Sequence, residues 1–532
     1  MRVLIFHGYL LGGTGSNVYN ARLAAALVGQ GHEVHLLSQD RHPDAQPFVD
    51  AAGDWDGGRL RVVDLDGGAR AASRAAGRGR CVVYRPDIGG LLPVYVADRY
   101  EGIEARTFSQ CSDEEIAHYV EANVAAVREL VSLVRPEVAL ANHLVMGPLI
   151  LARGLAGEVP YAVKIHGSAL EYTVKPEPRR FLAAAREGLA GAGGVLVGSH
   201  HTAASLWQAI GDPALAARTR LGPPGVDVER FAPREPGPAA VGVRELAARL
   251  GRAGAESAGA PATDAFARDV GAAAEALERL DPEREPLVAF VGKLIVSKGV
   301  DLLIAAWPLV LERRPTARLV LVGFGAYRAA LERLTGALAD GDLDAAMAIA
   351  RRGRSLEDPT APERPLRHLL AFLDGLDGAA RERYLASARG LRESVVMTGR
   401  LEHDELADLL PACSALVVPS TFPEAFGMVA AEAAACGVLP VSAAHSGLQE
   451  VSDELAAAVP GQAGAWLSFA VDDRAVEALA GCVLGWLEAD PDLRSRTRAG
   501  LTDRVRRRWS WDGVARGIVA AAQGRLDGLR RP

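Results

Sequence analysis

The sequence predicts an α/β protein built from two doubly wound halves, each with a parallel sheet. At the N-terminus, an apolar strand at Val3–Phe6 leads into a glycine-rich loop at Gly8–Ser16. A helical pattern then runs to Gly31, and a second strand follows at Glu33–Leu37. A comparable series begins again at the apolar run Pro286–Lys293. A strand, loop, helix and strand in this order indicate parallel pairing, because the crossover returns the chain in the same direction.

Further short apolar runs bounded by turn residues continue each series and are typical of buried strands. Those of the first half are Val138–Ala141, Tyr161–Ile165 and Gly194–Gly198. Those of the second half are Arg318–Val322, Ser394–Thr398, Ala415–Val418 and Val438–Ser442.

These runs divide the chain into segments. The first half is expected over residues 1–235 and the second over residues 285–510. Residues 236–284 are rich in Ala, Gly and Arg and predict an insertion or linker. A second, helical and charged insertion is expected at about residues 335–392, and residues 511–532 are expected to form a C-terminal helix.

Amino-acid composition and net charge limit the classes of protein to which this chain can belong. A chain of 532 residues exceeds one domain, and 49% hydrophobic with 23% charged residues is typical of a soluble globular protein. A net charge of −7 argues against a binder of duplex nucleic acid. The five cysteines show no zinc or disulfide spacing, which predicts a reducing compartment and hence the cytoplasm. Neither a signal peptide nor a membrane-spanning run of about 18 apolar residues is indicated.

The lysines are the first candidate functional residues. The chain has 59 basic residues, yet only four are lysine, and two of them, Lys293 and Lys298, lie five residues apart. They follow the Pro286–Lys293 strand and precede a helical pattern, so they predict an anion site at the end of that strand. The alternative is two solvated surface lysines.

Two carboxylates form the second candidate set. Glu424 and Glu432 lie in a segment that follows the Ala415–Val418 strand, where an alanine-rich helix is expected from about Phe426 to Cys436. The N–H groups at the start of such a helix face the carboxyl edge of the sheet, where α/β sheets bind ligands. The pair suits a ligand with phosphate at the helix start, a polyol on one side and a ribose on the other. The alternative is a capping Glu424 and a solvated Glu432.

Four stretches together resemble the family 4 retaining glycosyltransferases of GT-B fold. The stretches are GKLIVSKGVDLLIAAW, VLVGFG (Val320–Gly325), the segment from VVMTGRLEHDEL to SAAHSGLQEV, and PPGVDVERFAP. Glu424 and Glu432 match that family's E-x7-E motif. The resemblance implies two Rossmann-like domains facing each other across a cleft, with the C-terminal helix packing back on the first domain. The N-terminal half matches more loosely, and Pro224 stands where the family usually has asparagine.

In the second half, the resemblance implies that Lys298 binds the diphosphate of a nucleotide sugar. Lys293 stands where the family usually has arginine, and with Lys298, Glu424 and His166 it completes the expected catalytic set. Glu424 is expected to hold hydroxyls of the donor sugar, and Glu432 the ribose.

The resemblance also implies donor contacts from loops. The N–H groups of Phe426, Gly427 and Met428 are expected to meet sugar and phosphate oxygens. The turn of Gly399, Arg400 and Leu401 is expected beside the base, and Gly323 also belongs to the expected donor site. In the first half, Gly12 and Gly13 are expected to form a flexible loop that closes over the diphosphate. His166 is expected near the reacting sugar, the alternative being a structural histidine.

Three further patterns have structural alternatives. Gly13-Thr14-Gly15 with Asp40 resembles half a dinucleotide fingerprint, but Val18 stands in place of the last glycine. The triplets Asp64-Leu65-Asp66, at the end of a strand LRVVDLD, and Asp342-Leu343-Asp344 are expected to be solvated turns, so no metal is predicted. Five arginines lie in the acid-free stretch Gly67–Pro86 and predict either a solvated loop or contact with an anionic acceptor or membrane surface. They are Arg70, Arg74, Arg78, Arg80 and Arg85.

The sequence therefore predicts a retaining hexosyltransferase that needs no metal or cofactor and uses a nucleotide diphosphate sugar as co-substrate. The acceptor can be a small molecule, a glycan or a lipid, and no nucleic acid partner is expected. The expected location is the cytoplasm, with the inner membrane surface as an alternative. A GT-B epimerase or phosphorylase, or a non-catalytic sugar-nucleotide-binding protein, stays open as an alternative function.

Overall fold

The computed structural model describes residues 1–13, 15–56, 58–65, 77–96, 102–256, 268–357 and 362–532. These residues divide into two compact units. The first unit comprises Met1–Gly225 together with Trp509–Pro532, and the second runs from Val226 to Arg508. Each unit has its own sheet, which is parallel throughout in the second unit and parallel except for one edge hairpin in the first, and this confirms the two doubly wound halves predicted from the sequence.

The first unit contains a nine-stranded sheet and a two-stranded one. The strands are β1 Arg2–Phe6, β2 Glu33–Leu37, β3 Ala51–Asp56, β4 Arg59–Asp64, β5 Arg80–Arg85, β6 Leu91–Val94, β7 Glu104–Thr107, β8 Val138–Asn142, β9 Tyr161–Lys164, β10 Gly194–Val197 and β11 Thr219–Leu221. The large sheet has the order β11-β10-β9-β8-β1-β2-β5-β3-β4. Its helices are α1 Gly15–Gly29, α2 Asp113–Val134, α3 Gly147–Leu155, α4 Pro178–Ala190, α5 His200–Ile210 and α6 Leu215–Arg218.

Strand β1 occupies the centre of this unit. Leu4 and Phe6 belong to the apolar cluster on one face of the sheet, whereas Val3 and Ile5 belong to the cluster on the other. The strand pairs in parallel with β2 on one side and β8 on the other. The strand order therefore reverses at β1, and open α/β sheets form a ligand crevice at the carboxyl ends of strands where such a reversal occurs.

The second unit has a six-stranded parallel sheet. Its strands are β12 Leu287–Val291, β13 Arg318–Val322, β14 Val395–Gly399, β15 Ala415–Val418, β16 Leu439–Ala443 and β17 Ser468–Phe469, in the order β14-β13-β12-β15-β16-β17. Its helices are α7 Pro236–Glu256, α8 Val270–Glu278, α9 Val300–Arg313, α10 Arg328–Ala339, α11 Leu343–Arg352, α12 Arg367–Asp374, α13 Gly378–Ala388, α14 Leu391–Ser394, α15 His403–Leu409, α16 Met428–Ala435, α17 Ser446–Ala456, α18 Gly461–Gly464, α19 Ala475–Leu487 and α20 Pro491–Arg508. The strand order reverses between β12 and β15, so the loops after these two strands lie at one edge.

The two expected insertions are helical where the structure describes them. Within 236–284, helices α7 and α8 pack on each other, and α7 packs on α15. Arg234 and Arg249 hold this contact by donating to the two carboxylate oxygens of Asp408 at 3.0 and 2.9 Å. These contacts make the segment part of the second unit. Helices α10 to α13 fill most of the range from 328 to 388.

The C-terminal helix α21, Trp511–Ala522, belongs to the first unit. It packs on α1 and on strands β8, β9 and β10. The Trp511 ring lies 5.4 Å from the ring of Tyr19, which projects from α1. In addition, the Gln30 side chain donates to the carbonyl oxygen of Asp512 at 3.1 Å.

One sequence expectation about the first unit is wrong. The stretch Gly67–Pro86 was expected to be a loop, but its last residues form β5, whose centre is buried between β2 and β3. The three described arginines of that stretch each pair with an aspartate at 2.5–3.0 Å. These pairs are Arg78–Asp50, Arg80–Asp64 and Arg85–Asp54. Arg70, Arg74 and Asp66 lie outside the described residues.

No helix within the described residues is long and apolar enough to span a membrane. All five cysteines are free thiols, four of them buried.

Candidate active site

The loop after β12 carries Lys298 against the loop after β15. Val296–Lys298 forms a short 3-10 turn, which Gly299 ends in the left-handed conformation, with φ of 66°. A Cβ atom on Gly299 would lie 2.1 Å from the carbonyl oxygen of Pro419, so only glycine allows this approach. The N–H of Thr421 donates to the carbonyl oxygen of Ser297 at 2.9 Å and ties the two loops together.

Lys298 and Glu424 form an ion pair at this junction. The Lys298 ammonium donates to Oε1 of Glu424, and Ser420 Oγ donates to the same oxygen at 2.7 Å. The two charged side chains are 29% and 24% exposed. Burial alone would raise the pKa of Glu424, but the charge of Lys298 and the hydrogen bonds from Lys298 and Ser420 outweigh it, and the pKa falls below its ordinary value. Glu424 is therefore ionised at neutral pH.

A hydrogen-bond cycle through four residues orients Glu424. Its N–H donates to Ser446 Oγ at 2.9 Å, and Ser446 Oγ lies 3.0 Å from Nδ1 of His445. His445 Nε2 lies 2.7 Å from the carbonyl oxygen of Ser420, whose hydroxyl donates back to Glu424. Because the Ser420 carbonyl only accepts, Nε2 carries the hydrogen in that contact, and in the neutral ring Nδ1 accepts from Ser446. Sequence reasoning missed Ser420, His445 and Ser446, although Ser446 follows β16, the strand next to β15.

Helix α16 begins at Met428, two residues later than expected. Gly427 precedes it with φ of 112°, and a Cβ atom there would lie 2.6 Å from a methyl carbon of Leu448. The N–H groups of the first turn have no acceptor within a helix and carry partial positive charge. Glu432 is four residues beyond Met428, so it lies about one turn into the helix.

Glu432 is buried at 3% exposure and has a partner that the sequence reasoning missed. Nε2 of His403, the first residue of α15, lies 2.7 Å from Oε1 of Glu432. The His403 ring also packs against an apolar side chain, since the ring of Phe231 lies 4.8 Å from it.

Lys293 and the turn of Gly399, Arg400 and Leu401 lie around Phe324. The Lys293 ammonium is 5.9 Å from the centre of the Phe324 ring, and the Arg400 guanidinium carbon is 6.0 Å from it. The N–H of Gly323 donates to the carbonyl oxygen of Gly399 at 2.9 Å, which joins the loops after β13 and β14. Lys293 thus contacts an aromatic ring, whereas Lys298 contacts a carboxylate.

In the first unit, three histidines follow the adjacent strands β1, β8 and β9. They are His7, His143 and His166. The rings of His143 and His166 are 4.8 Å apart, and those of His7 and His143 are 6.2 Å apart. Both ring nitrogens of His143 are buried without a hydrogen-bond partner in the described part of the chain.

His166 is neutral in this setting. Burial, followed by the nearby His143, Lys164 and His7, holds its pKa well below the ordinary value. Its Nε2 donates to Oδ1 of Asn142 at 2.8 Å, so it is a hydrogen-bonding group rather than a cation. Beside it, burial lowers the pKa of Lys164 to about 7, and its ammonium donates to the carbonyl oxygen of Gly222 at 2.5 Å.

The glycine loop after β1 is held by side chains of its own unit. The Asn17 amide donates to the carbonyl oxygen of Gly12 at 2.7 Å, and Gly13 has φ of 92°. Asp40, the acidic residue of the partial dinucleotide fingerprint, accepts from the N–H of Leu11 at 2.8 Å. Its carboxylate therefore shapes the loop, while Thr14 lies outside the described residues.

Three family models match the chain in separate segments. A glycosyl transferase 4-like domain matches residues 14–225, and two models for glycosyl transferases group 1 match residues 285–348 and 368–499. The chain belongs to the family 4 glycosyltransferases of GT-B fold.

Named relatives of this glycosyltransferase share part of its length. A D-inositol 3-phosphate glycosyltransferase of Segniliparus rotundus is 30% identical over 48% of this chain, and the match spans only 44% of that relative. A Frankia alni protein of the same name is 26% identical over 78% of this chain and 82% of its own length. Among solved structures, Anabaena HepE in complex with UDP and glucose covers 98% of this chain and 99% of its own, with a TM-score of 0.53 and 16% identity. The HepE likeness supports the fold alone.

The structure of this glycosyltransferase gives the two aspartate triplets structural partners. Asp342 caps α11, since its Oδ1 accepts from the N–H of Ala345 at 2.9 Å. Asp64 pairs with Arg80 at 2.5 Å. Over the described ranges, no three His, Cys, Asp or Glu side chains form a group that could hold a metal ion.

Proposed function

We propose that this glycosyltransferase moves a sugar from a nucleoside diphosphate sugar to a hydroxyl of a small-molecule, glycan or lipid acceptor, with retention at the anomeric carbon. The proposal rests on the junction between the loops after β12 and β15 in the second unit. There, Lys298 and Glu424 meet before the N-terminus of α16, and Glu432 lies about one turn into that helix.

The charges at this junction suit a leaving diphosphate. Negative charge grows on the leaving group as the bond between the anomeric carbon and the phosphate oxygen breaks. Lys298 and the first-turn N–H groups of α16 offer positive charge for it, with Lys293 as a further cation. This positive field takes the place of a bound metal, so the reaction is proposed to need none.

The two carboxylates are proposed to bind different parts of the donor. Glu424 is ionised and oriented by its hydrogen-bond cycle, so it is suited to accept from hydroxyls of the donor sugar. Glu432 is proposed to accept from the ribose. In the first unit, neutral His166 is proposed to lie near the reacting sugar, and the loop of Gly12 and Gly13 to contact the diphosphate.

The comparisons indicate which compounds to test first. HepE was solved with UDP and glucose, a relative of Corynebacterium glutamicum is named as GDP-mannose-dependent, and several other relatives are named for D-inositol 3-phosphate. We therefore expect a uridine or guanosine diphosphate sugar as donor and include D-inositol 3-phosphate among the acceptors. The test is to incubate the protein with a panel of these donors and to measure slow donor hydrolysis and transfer, with the product's anomeric configuration determined by NMR.

The expected result is release of nucleoside diphosphate, a product of retained configuration and full activity in EDTA. Loss of turnover in EDTA that magnesium or manganese restores would contradict metal independence. Epimerisation of the donor without release, or binding without any turnover, would instead support the epimerase or the non-catalytic alternative.

A further inference from the structure

One of the two carboxylate oxygens of Glu432 accepts a hydrogen bond from a histidine. Its Oε1 lies 2.7 Å from Nε2 of His403, and the described residues donate no hydrogen bond to Oε2. Because a carboxylate only accepts, Nε2 of His403 carries the hydrogen in this contact. The contact satisfies one side of a carboxylate that is only 3% exposed, where an unpaired charge would be costly.

His403 is itself held in place from several directions. It is the first residue of α15, and Glu402 and Glu405 close the start of this helix by reciprocal hydrogen bonds. Arg268 donates to Glu405 at 2.5 Å, and the ring of Phe231 packs against His403 at 4.8 Å. These contacts fix the position of the imidazole whose N–H donates to Glu432.

We propose that His403 is a positioning residue for the ribose of the donor: by donating to Oε1 of Glu432 it turns Oε2 toward the ribose hydroxyls. This inference rests on the proposed function, because it needs a nucleoside diphosphate as ligand. His403 acts through Glu432 and makes no contact with the reacting atoms. The rival explanation is that His403 only neutralises a buried carboxylate and supports the fold.

Ligands with and without ribose hydroxyls separate the two explanations. Binding of UDP and of 2′,3′-dideoxy-UDP is measured by calorimetry, with GDP and its dideoxy analogue in parallel. We expect His403→Ala to weaken binding of the ribose form by roughly tenfold, the size expected when a hydrogen bond on a charged group is lost. Binding of the dideoxy form should not change. His403→Gln, whose amide N–H can replace Nε2–H, should restore most of the affinity.

A double variant tests the route through Glu432. Glu432→Ala should weaken binding of the ribose form, and adding His403→Ala should weaken it no further, because both changes remove the same interaction. His118→Ala, at an exposed histidine on α2, is the control and should bind like the parent.

The possible failures are distinguishable. Parental affinity of His403→Ala for the ribose form would overturn the positioning role alone, and so would an equal loss for ribose and dideoxy forms, which indicates a structural role. If the parent protein binds neither UDP nor GDP, the proposed function fails and the positioning role falls with it.

Discussion

Replacing Lys298 with alanine should lower kcat strongly while the protein stays folded. If Lys298 stabilises the leaving diphosphate, its contribution is larger in the transition state than in the ground state, because charge grows as the bond breaks. Loss of one such preorganised donor typically lowers kcat by roughly 10²–10³. The KM for the donor should change less.

The structure separates this effect from a loss of stability. Lys298 and Glu424 are 29% and 24% exposed, so they form a partly solvated pair. Removing such a pair lowers the free energy of unfolding by about 1 kcal/mol or less. In addition, Glu424 would lose the charge that offsets its burial, so its pKa should rise. As pH is lowered, the Lys298→Ala variant should therefore lose its residual activity at a higher pH than that at which the parent loses its own activity.

The assay is steady-state kinetics with the best donor of the panel, together with thermal unfolding. Lys298→Arg should also be slow, because a planar fork must fit a space that a compact ammonium occupies. Lys293→Arg should be mild, since the family usually has arginine there. Lys175→Ala is the matched control, because Lys175 pairs with Glu171 at 2.8 Å in the first unit. A parental kcat for Lys298→Ala would refute the role of the ammonium.

Three further outcomes are expected. Glu424→Ala should leave affinity for the free nucleoside diphosphate nearly unchanged while discrimination between donor-sugar epimers falls, and equal discrimination in parent and variant would contradict its assignment. Ser446→Gly should leave the fold intact, because Ser446 has φ of 52°, a conformation that glycine adopts readily. This variant should also weaken epimer discrimination, since the backbone N–H of Glu424 loses its acceptor. Kinetics with paired donor epimers checks both variants. Burial lowers the pKa of His7 to about 4 and holds those of His143 and His166 well below the ordinary value. The unfolded chain therefore takes up protons first as pH falls below about 6.5, and the free energy of unfolding should fall by up to about 1.4 kcal/mol per pH unit for each histidine. Denaturant unfolding at pH 7.5 and 5.5 checks this, and His143→Phe should make the pH dependence shallower, because one buried neutral histidine is removed; an unchanged dependence would contradict it.

Hydrophobic pattern predicts most of the central strands. Arg318–Val322, Ala415–Val418 and Glu33–Leu37 have the bounds expected from the sequence, because each is mostly apolar and buried in a parallel part of its sheet. The strands β3, β5 to β7, β11 and β17 were not expected. Polar or charged residues flank several of them, and β3 forms its hairpin with β4 at the edge of the sheet.

The sequence indicates candidate residues for the site but not the contacts between them. The lysine and carboxylate pairs stand out by composition and by motif. The contact between Lys298 and Glu424, however, joins positions 126 residues apart and depends on the reversal of strand order between β12 and β15. His403 and His445 give no local signal, because a histidine becomes a hydrogen-bonding partner only when another element brings its acceptor close. Helix α16 begins later than expected because Gly427, in the left-handed conformation, precedes it.

The hydrogen-bond cycle around Glu424 has a consequence for how related sequences should differ. The backbone N–H at its start can only donate and the carboxylate at its end can only accept, so the cycle runs in one direction. A glycine at the position of Ser446 would leave Nδ1 of His445 without its donor. Positions 420, 445 and 446 should therefore change together among relatives: a serine at 446 should accompany a histidine at 445, and a glycine at 446 should release both other positions to vary.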